Sequence, residues 1–334
     1  MDSLVEARLV AQRLLTPADS AVALLETMGP MQGQDLTGVL SSLALRLPSG
    51  TDVTDVRDAF TAGELVRGYP MRSTVFAMSA RDAGWITELC AGQQRRESTR
   101  RWEKEGLSPA EVTRAHDVFL ESPKLSRKAL GNLWARHGFP DDTGFRYLMI
   151  RDMMLHGTAV YGPFDGDDQL IVPATPVPYT GEHSPASELL LRYLTGHGPA
   201  DLRDFAWWTK LPQRVVKEAF TEIADEVETT DGLHHRPGLY DEVASMRRRA
   251  HGTFALPAFD EIVLGYRDRL AFMASTHHDQ VAPGNRGVFR RTVVRGGKFI
   301  ATWSAAGVEP FTPLSATAER DVTRAVRNYP RARR

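Results

Sequence analysis

Gly198-Pro199-Ala200-Asp201-Leu202-Arg203-Asp204-Phe205-Ala206-Trp207-Trp208-Thr209-Lys210-Leu211-Pro212-Gln213-Arg214-Val215-Val216-Lys217 is the stretch on which the fold reading turns. Asp201 is a helix-capping residue type, and residues 201–208 carry apolar side chains at helical spacing. Leu211-Pro212 breaks that helix, because proline lacks an amide hydrogen and pushes the residue before it out of helical geometry. Residues 212–223 then form a second amphipathic helix. Two short helices joined by a tight turn are a helix-turn-helix, whose second helix can lie against DNA. Residues 224–239 follow as its β-hairpin wing.

The same order recurs on both sides. Upstream, residues 4–15, 17–28, 36–47 and 52–62 read as helices, the last with Thr51 or Thr54 as its cap. Residues 65–78 follow, with a β-prone second half. Ser108-Pro109-Ala110-Glu111 then opens another helix with a capping-box pattern. Helices at 126–137 and 143–156 lead into residues 159–172, a strand, an Asp/Gly turn and a strand. Downstream, strand-like runs 289–294 and 298–303 flank Arg295-Gly296-Gly297, and a helix closes the chain near 318–328. The expected fold is α+β: tandem winged-helix domains, each a helix-turn-helix plus a β-hairpin wing, with a β-rich C-terminal portion. The expected segments are 1–104, 105–182, 183–250 and 251–334.

Composition bounds the function classes. The 334 residues are 42% hydrophobic and 25% charged, which suits a packed globular protein. Lys and Arg total 41 against 42 Asp and Glu, so any nucleic-acid contact must come from local basic groups. A single cysteine, Cys90, excludes a disulfide framework and a multi-cysteine zinc site. His277-His278-Asp279 has no further ligand at metal spacing. No phosphate-binding loop or dinucleotide fingerprint is present. No metal and no cofactor are expected. The N-terminus lacks a signal-peptide pattern and no long apolar run occurs, so a cytoplasmic monomer without a membrane partner is expected.

Three stretches carry a family resemblance. They are Met31-Gln32-Gly33-Gln34-Asp35, then Arg67-Gly68-Tyr69-Pro70-Met71-Arg72-Ser73-Thr74, then Leu256-Pro257-Ala258-Phe259-Asp260-Glu261-Ile262-Val263-Leu264-Gly265-Tyr266-Arg267-Asp268-Arg269. The last continues through Gly287-Val288-Phe289-Arg290 to the hairpin ending at Thr302-Trp303. In that order they resemble the bacterial winged-helix alkylpurine DNA glycosylases of the AlkZ and YcaQ type. The resemblance implies three tandem winged-helix domains around a DNA-binding concavity. It implies removal of alkylated purines from double-stranded DNA, including N7-alkylguanine adducts and interstrand crosslinks. Some relatives protect antibiotic producers from their own alkylating product. It also implies Gln32 and Gln34 as the catalytic pair. The chain departs from the family at Phe76, where many relatives carry histidine, and at Gly33, where a larger apolar residue is common.

Two amides suit this chemistry. An N7-alkylated purine is already cationic, so the base departs neutral and needs no general acid. What remains is to place water near the anomeric carbon and to stabilise an oxocarbenium-like centre. An amide oxygen accepts a hydrogen bond and its NH2 donates two. On an extended backbone after Gly29-Pro30, Gln32 and Gln34 would point the same way and hold one water between them. Gln34 takes the larger share in orienting water, with Gln32 in support. Asp35 competes as a base, but its expected role is to cap the helix beginning at Leu36.

Expected DNA contacts are Arg72 and Thr74 in the first wing, Lys210, Arg214 and Lys217 around the helix-turn-helix, and Arg290 and Arg291 in the C-terminal hairpin. Asp260 or Arg267 is expected to buttress the site through internal pairs. Trp207-Trp208 is expected in the core of the third module. Arg247-Arg248-Arg249 reads as a helix end, a linker or a DNA contact. Two other readings compete with a glycosylase: a winged-helix transcription regulator, which leaves every base in place, and an inactive lesion-binding protein.

Overall fold

The computed structural model describes residues 3–122 and 124–331. The chain begins with α1 (Ser3–Ala11), α2 (Ala21–Met28), a short strand β1 (Met31–Gln32), α3 (Leu36–Ala44) and α4 (Val53–Thr61). α1 stops short of residue 15 because Arg13 turns left-handed, with φ 59°. Ser20 caps α2 by accepting the Ala23 N–H. Asp52, not Thr51 or Thr54, starts α4: its carboxylate accepts the Thr54 N–H at 2.7 Å. A charged acceptor makes the stronger cap bond.

Next come β2 (Leu65–Met71), β3 (Thr74–Ser79), α5 (Ala83–Cys90), α6 (Gly92–Lys104), α7 (Pro109–Leu120), α8 (Arg127–Arg136), α9 (Thr143–Leu155), β4 (Ala159–Asp165) and β5 (Asp168–Pro173). Both halves of residues 65–78 are strand, joined at Arg72 and Ser73, which both lie in the left-handed region (φ 53° and 56°). Left-handed residues at both central positions match the right-handed twist of the flanking strands. α7 has the capping box read from Ser108 and Glu111, with Pro109 in its first turn.

The remainder is α10 (Pro185–His197), α11 (Leu202–Thr209), α12 (Gln213–Ile223), β6 (Glu228–Thr230), β7 (Leu233–His235), α13 (Leu239–Ala250), β8 (Thr253–Leu256), α14 (Glu261–Leu264), α15 (His278–Val281), β9 (Thr292–Arg295), β10 (Lys298–Ser304), β11 (Gly307–Pro310) and α16 (Ala316–Arg327). The order helix, turn, helix, hairpin over residues 201–239 is therefore present as α11, α12, β6 and β7. Arg247-Arg248-Arg249 forms the last turn of α13, where cations suit the partial negative charge of a helix end.

These elements make a mixed α/β structure of two compact units, residues 57–185 and the discontinuous pair 1–56 and 186–334. The division passes through the expected first segment, 1–104. Within residues 57–185 the strands run β3-β2-β4-β5, all antiparallel. One sheet face sends Tyr69, Tyr161 and Ile171 into a core with Phe119, Trp134 and Met149 of the helices. The opposite face carries Val66 and Met78 beside Ala83 of α5.

In the other unit, α1 packs on α13, and Val5, Leu9, Leu239, Tyr266 and Phe272 form the main core. The β-rich C-terminal portion is an antiparallel sheet ordered β11-β10-β9-β8. α16 lies against it, with Val322 and Tyr329 packed beside Trp303. Among the described residues no helix is long and apolar enough to cross a membrane.

Candidate active site around the glutamine motif

The motif sits in the link between α2 and α3. α2 ends at Gly29, whose φ of 81° disfavours any L side chain, and a Cβ there would lie 3.3 Å from Trp208 Cη2. Pro30 and β1 carry the chain on in extended form to Gln32. The extended run ends there, and after Gly33 the chain bends at Gln34 and Asp35 into α3.

Because of that bend the two glutamines do not stand side by side. Gln32 is buried, 7% exposed. Its Oε1 accepts the backbone N–H of Gln34 at 3.0 Å. Gln34 is exposed. The expectation of two parallel amides on one strand face is corrected: Gln32 holds the loop, and Gln34 is the amide presented to the surface. Gly33 contributes no side chain between them.

The loop is tied from behind by Glu261, the first residue of α14. This carboxylate is 1% exposed. It accepts the Gln32 backbone N–H at 3.0 Å and the Trp208 indole N–H at 2.9 Å. The His197 Nε2 lies 3.1 Å from the same oxygen as the indole. A carboxylate only accepts, so that imidazole nitrogen carries the hydrogen. His197 stacks on Tyr193 at 4.5 Å between ring centres. A Cβ on Gly265 would come within 2.5 Å of the His197 ring, so the Gly265 position admits no side chain. Trp208 is thus more than core filling, and its neighbour Trp207 is half-buried beneath Lys210 and Arg269.

Asp260 anchors a second network. Its carboxylate is fully buried and makes a two-pronged bond with Arg46, both contacts at 2.9 Å. Ser42 Oγ donates at 2.6 Å and the Ile262 N–H at 3.0 Å, the latter capping α14. Burial alone pushes this carboxyl up, but the Arg46 charge and the hydrogen bonds from Arg46, Ser42 and Ile262 outweigh it and hold it below its ordinary value. The remaining Arg46 N–H groups go to Gln12 O, Gln12 Oε1 and Ser42 O. Gln12 donates to Tyr266 Oη at 3.3 Å, and Tyr266 donates to the His197 carbonyl at 2.9 Å. Hydrogen bonds therefore run from Asp260 through Arg46, Gln12 and Tyr266 to His197, Glu261 and Gln32. Ala258 adds a backbone contact, since a Cβ on Gly38 of α3 would lie 2.8 Å from its carbonyl oxygen. Residues 258–266 pack on the glutamine loop and on the helix that follows it.

Other expected positions fall differently. Asp35 occupies the cap position of α3 with extended backbone, yet its side chain makes no cap hydrogen bond. Its carboxylate lies close to Gly38, whose Cβ would be 3.0 Å from Asp35 Oδ2. Arg267 is exposed and enters through its backbone N–H, which donates to Asp204 at 3.1 Å. The buried pairing belongs to Asp260 with Arg46. Glu261, His197 and Arg46 carry no role in the sequence reading, which places Trp208 only in a core. The available signal was Asp260-Glu261 between Ala258-Phe259 and Ile262-Val263-Leu264, since charges inside an apolar run need buried partners.

Of the basic candidates, Lys210, Arg214 and Lys217 are exposed around α11 and α12. Lys210 forms the left-handed end of α11 (φ 65°), and Arg214 pairs with Glu218 at 2.7 Å along α12. Arg290 is exposed and 3.8 Å from Glu309, while Arg291 lies over the Trp303 ring at 5.0 Å. Both precede β9 rather than sitting within it. Arg72 is half-buried with its guanidinium 5.1 Å from the Phe76 ring centre, and Thr74 starts β3. Phe76 is fully buried. Among the described residues no group of three or more His, Cys, Asp or Glu is placed to hold a metal.

No curated protein sequence gives a match. Among solved structures the Streptomyces sahachiroi DNA glycosylase AlkZ is similar in fold, with a TM-score of 0.74 at 19% identity. The likeness covers 98% of this chain and 95% of that one. A family model described as DNA glycosylase AlkZ-like matches residues 25–332. With nearly the whole length matched, this chain belongs to the AlkZ-like DNA glycosylase family.

Proposed function

We propose that this protein hydrolyses the N-glycosidic bond of alkylated purines in duplex DNA, acting on the cationic N7-adducted base. The observation that carries this reading is the fixing of the glutamine loop: a buried carboxylate grips Gln32 while Gln34 faces outward. A surface loop with no task needs no buried anchor of this kind, since burying a carboxylate is costly unless it is fully hydrogen-bonded.

In this mechanism Gln34 orients the attacking water and Gln32 fixes Gln34 through the 3.0 Å bond to its N–H. Neither amide has a useful acid-base pKa; no acid is needed because the cationic purine leaves as a neutral base, and the proton shed by the added water passes to bulk solvent. Water rather than a protein amine is the nucleophile in this reading, and an abasic site is the product. Interstrand crosslinks and bulky antibiotic adducts at N7 share the same cationic purine and fall in the same substrate class. Such lesions resist extrusion into a tight pocket, so the protein meets them within the duplex.

The helix-hairpin groupings are read as three winged-helix domains with boundaries near residues 104, 182 and 250. Lys210, Arg214, Lys217, Arg290, Arg291, Arg72 and Thr74 are assigned to phosphate and sugar contacts. The protein acts as a cytoplasmic monomer without a cofactor.

The test is incubation with duplex DNA containing N7-methylguanine, followed by detection of the free base and of alkali-labile strand breaks. Gln32→Ala with Gln34→Ala should keep binding to alkylated DNA and lose base release. Full release by the double variant overturns the assignment. Binding to one undamaged sequence with every base left in place would instead identify a regulator.

A further inference from the structure

The unit of residues 57–185 holds a cavity of about 890 Å³ that includes no residue of the glutamine motif. Its floor is the sheet face turned away from the core of that unit. Strand alternation brings Val66, Gly68, Met78, Val160, Gly162 and Val172 to it. α5 forms one wall. The other is an exposed strap, residues 173–178, with prolines at 173, 176 and 178, followed by Tyr179. The Trp85 and Tyr179 rings approach to 5.0 Å between centres. The Trp85 N–H is engaged by Asp82 and the Tyr179 hydroxyl by the His183 carbonyl, so both rings turn apolar surface to the space.

The charged lining is unbalanced. Arg81 is exposed and makes no ion pair among the described residues. Arg95 is shared between Glu88 at 2.7 Å and the Leu155 carbonyl at 2.7 Å. His156 leans on buried Asp152, and that hydrogen bond raises its pKa. Glu88 is the one carboxylate among the lining residues.

Size and chemistry narrow the occupant. Cavities of roughly 300–1,000 Å³ suit drug-sized molecules. A nucleic-acid strand would lose phosphate hydration against Val66, Met78 and Ala83 and meet few cations. A peptide cannot add as a strand across this floor, since β2 and β4 are hydrogen-bonded on both sides. We propose that this cavity binds a small organic acid with a flat, ring-bearing apolar body, its anionic group held at the rim by Arg81 and Arg95.

The probe is 8-anilinonaphthalene-1-sulfonate, titrated into the full chain and followed by fluorescence. Saturable, blue-shifted emission at one equivalent is expected. Arg81→Ala should weaken binding about threefold, as for an exposed charge contact. N-phenyl-1-naphthylamine, which keeps the rings and lacks the sulfonate, should bind the parent and Arg81→Ala alike. Gly84→Leu should abolish the saturable signal. A Cβ at Gly84 finds only Val177 backbone atoms within 4 Å, at 3.9 Å, so leucine there projects into the space beneath the strap. Leucine is also the better helix former, so α5 is kept, as circular dichroism and thermal unfolding will verify. The proposal is overturned by absence of saturable binding to the folded parent, by unchanged binding in both variants, or by displacement of the dye with a short oligonucleotide.

Discussion

Replacing Arg46 by methionine strips the buried Asp260 of its cation and leaves it the bonds from the Ser42 hydroxyl and the Ile262 N–H. Both side chains of the pair are 0% exposed. Removing one member of such a pair costs about 3–5 kcal/mol, because the other charge stays buried and unpaired. For a protein of this size that lowers the thermal midpoint by about 10 °C. The penalty should depend on pH in a defined direction. In the parent the Asp260 carboxyl is held below its ordinary value, so its stabilising contribution is present above that value and lost as pH falls through the lowered one. In Arg46→Met the burial effect is no longer offset and the carboxyl rises. Protonation then relieves the buried charge, and the gap between variant and parent narrows as pH drops from 7.5 to 5. Urea unfolding at both pH values measures this. Arg46→Met combined with Asp260→Leu should recover most of the loss, since an apolar pair of similar volume needs no compensation. A penalty below about 1 kcal/mol, or one that is the same at both pH values, would refute the reasoning.

Glu261→Gln replaces the charged acceptor behind Gln32. Base release should fall by one to two orders of magnitude, from about 1.5–3 kcal/mol of lost charge-assisted bonding, while affinity for alkylated DNA stays within a factor of about two. Asp35→Asn should leave base release within about threefold, because water needs no carboxylate base against a cationic leaving group; a hundredfold loss would transfer the base role to Asp35. Lys217→Ala should weaken DNA binding uniformly across sequences and reduce the slope of log K against log salt by about 0.9, the loss of one phosphate contact. His156→Gln tests the Asp152 bond, which raises the His156 pKa and so stabilises the fold below the ordinary histidine value; that contribution is lost as pH rises through the raised value. The variant should be less stable than the parent at pH 6 by under about 1 kcal/mol, given the half-exposed ring, and nearly equal to it at pH 9.

Local signals were legible wherever a few adjacent residues decide the outcome. Ser108, Pro109 and Glu111 spell the start of α7, and the Asp/Gly turn between β4 and β5 states its own geometry. α13 was hidden because residues 224–239 satisfied a wing, and the helix behind them showed only a basic run at its end. The glutamine motif was legible as a motif but not as a shape. Its extended run stops after Gln32, and what holds it is a carboxylate 229 positions away in the chain. Asp35 illustrates the same limit. Its type and position both say cap, yet its side chain makes no cap hydrogen bond. The 256–269 stretch stood out in sequence because Asp260, Glu261 and Gly265 each meet a demand set by distant partners.

The unit that carries the glutamine loop is written in two instalments, residues 1–56 and 186–334, with the other unit inserted between them. Arg46 emerges from the ribosome long before Asp260, and Gln12 long before Tyr266. At about 5–20 residues per second the early helices wait roughly ten to forty seconds for their partners. During that interval the unit of residues 57–185, whose own core is continuous in sequence, is free to fold. The glutamine loop is therefore among the last parts of the protein to take shape during synthesis. A nascent chain stalled before residue 260 would carry both glutamines and have nothing to hold them.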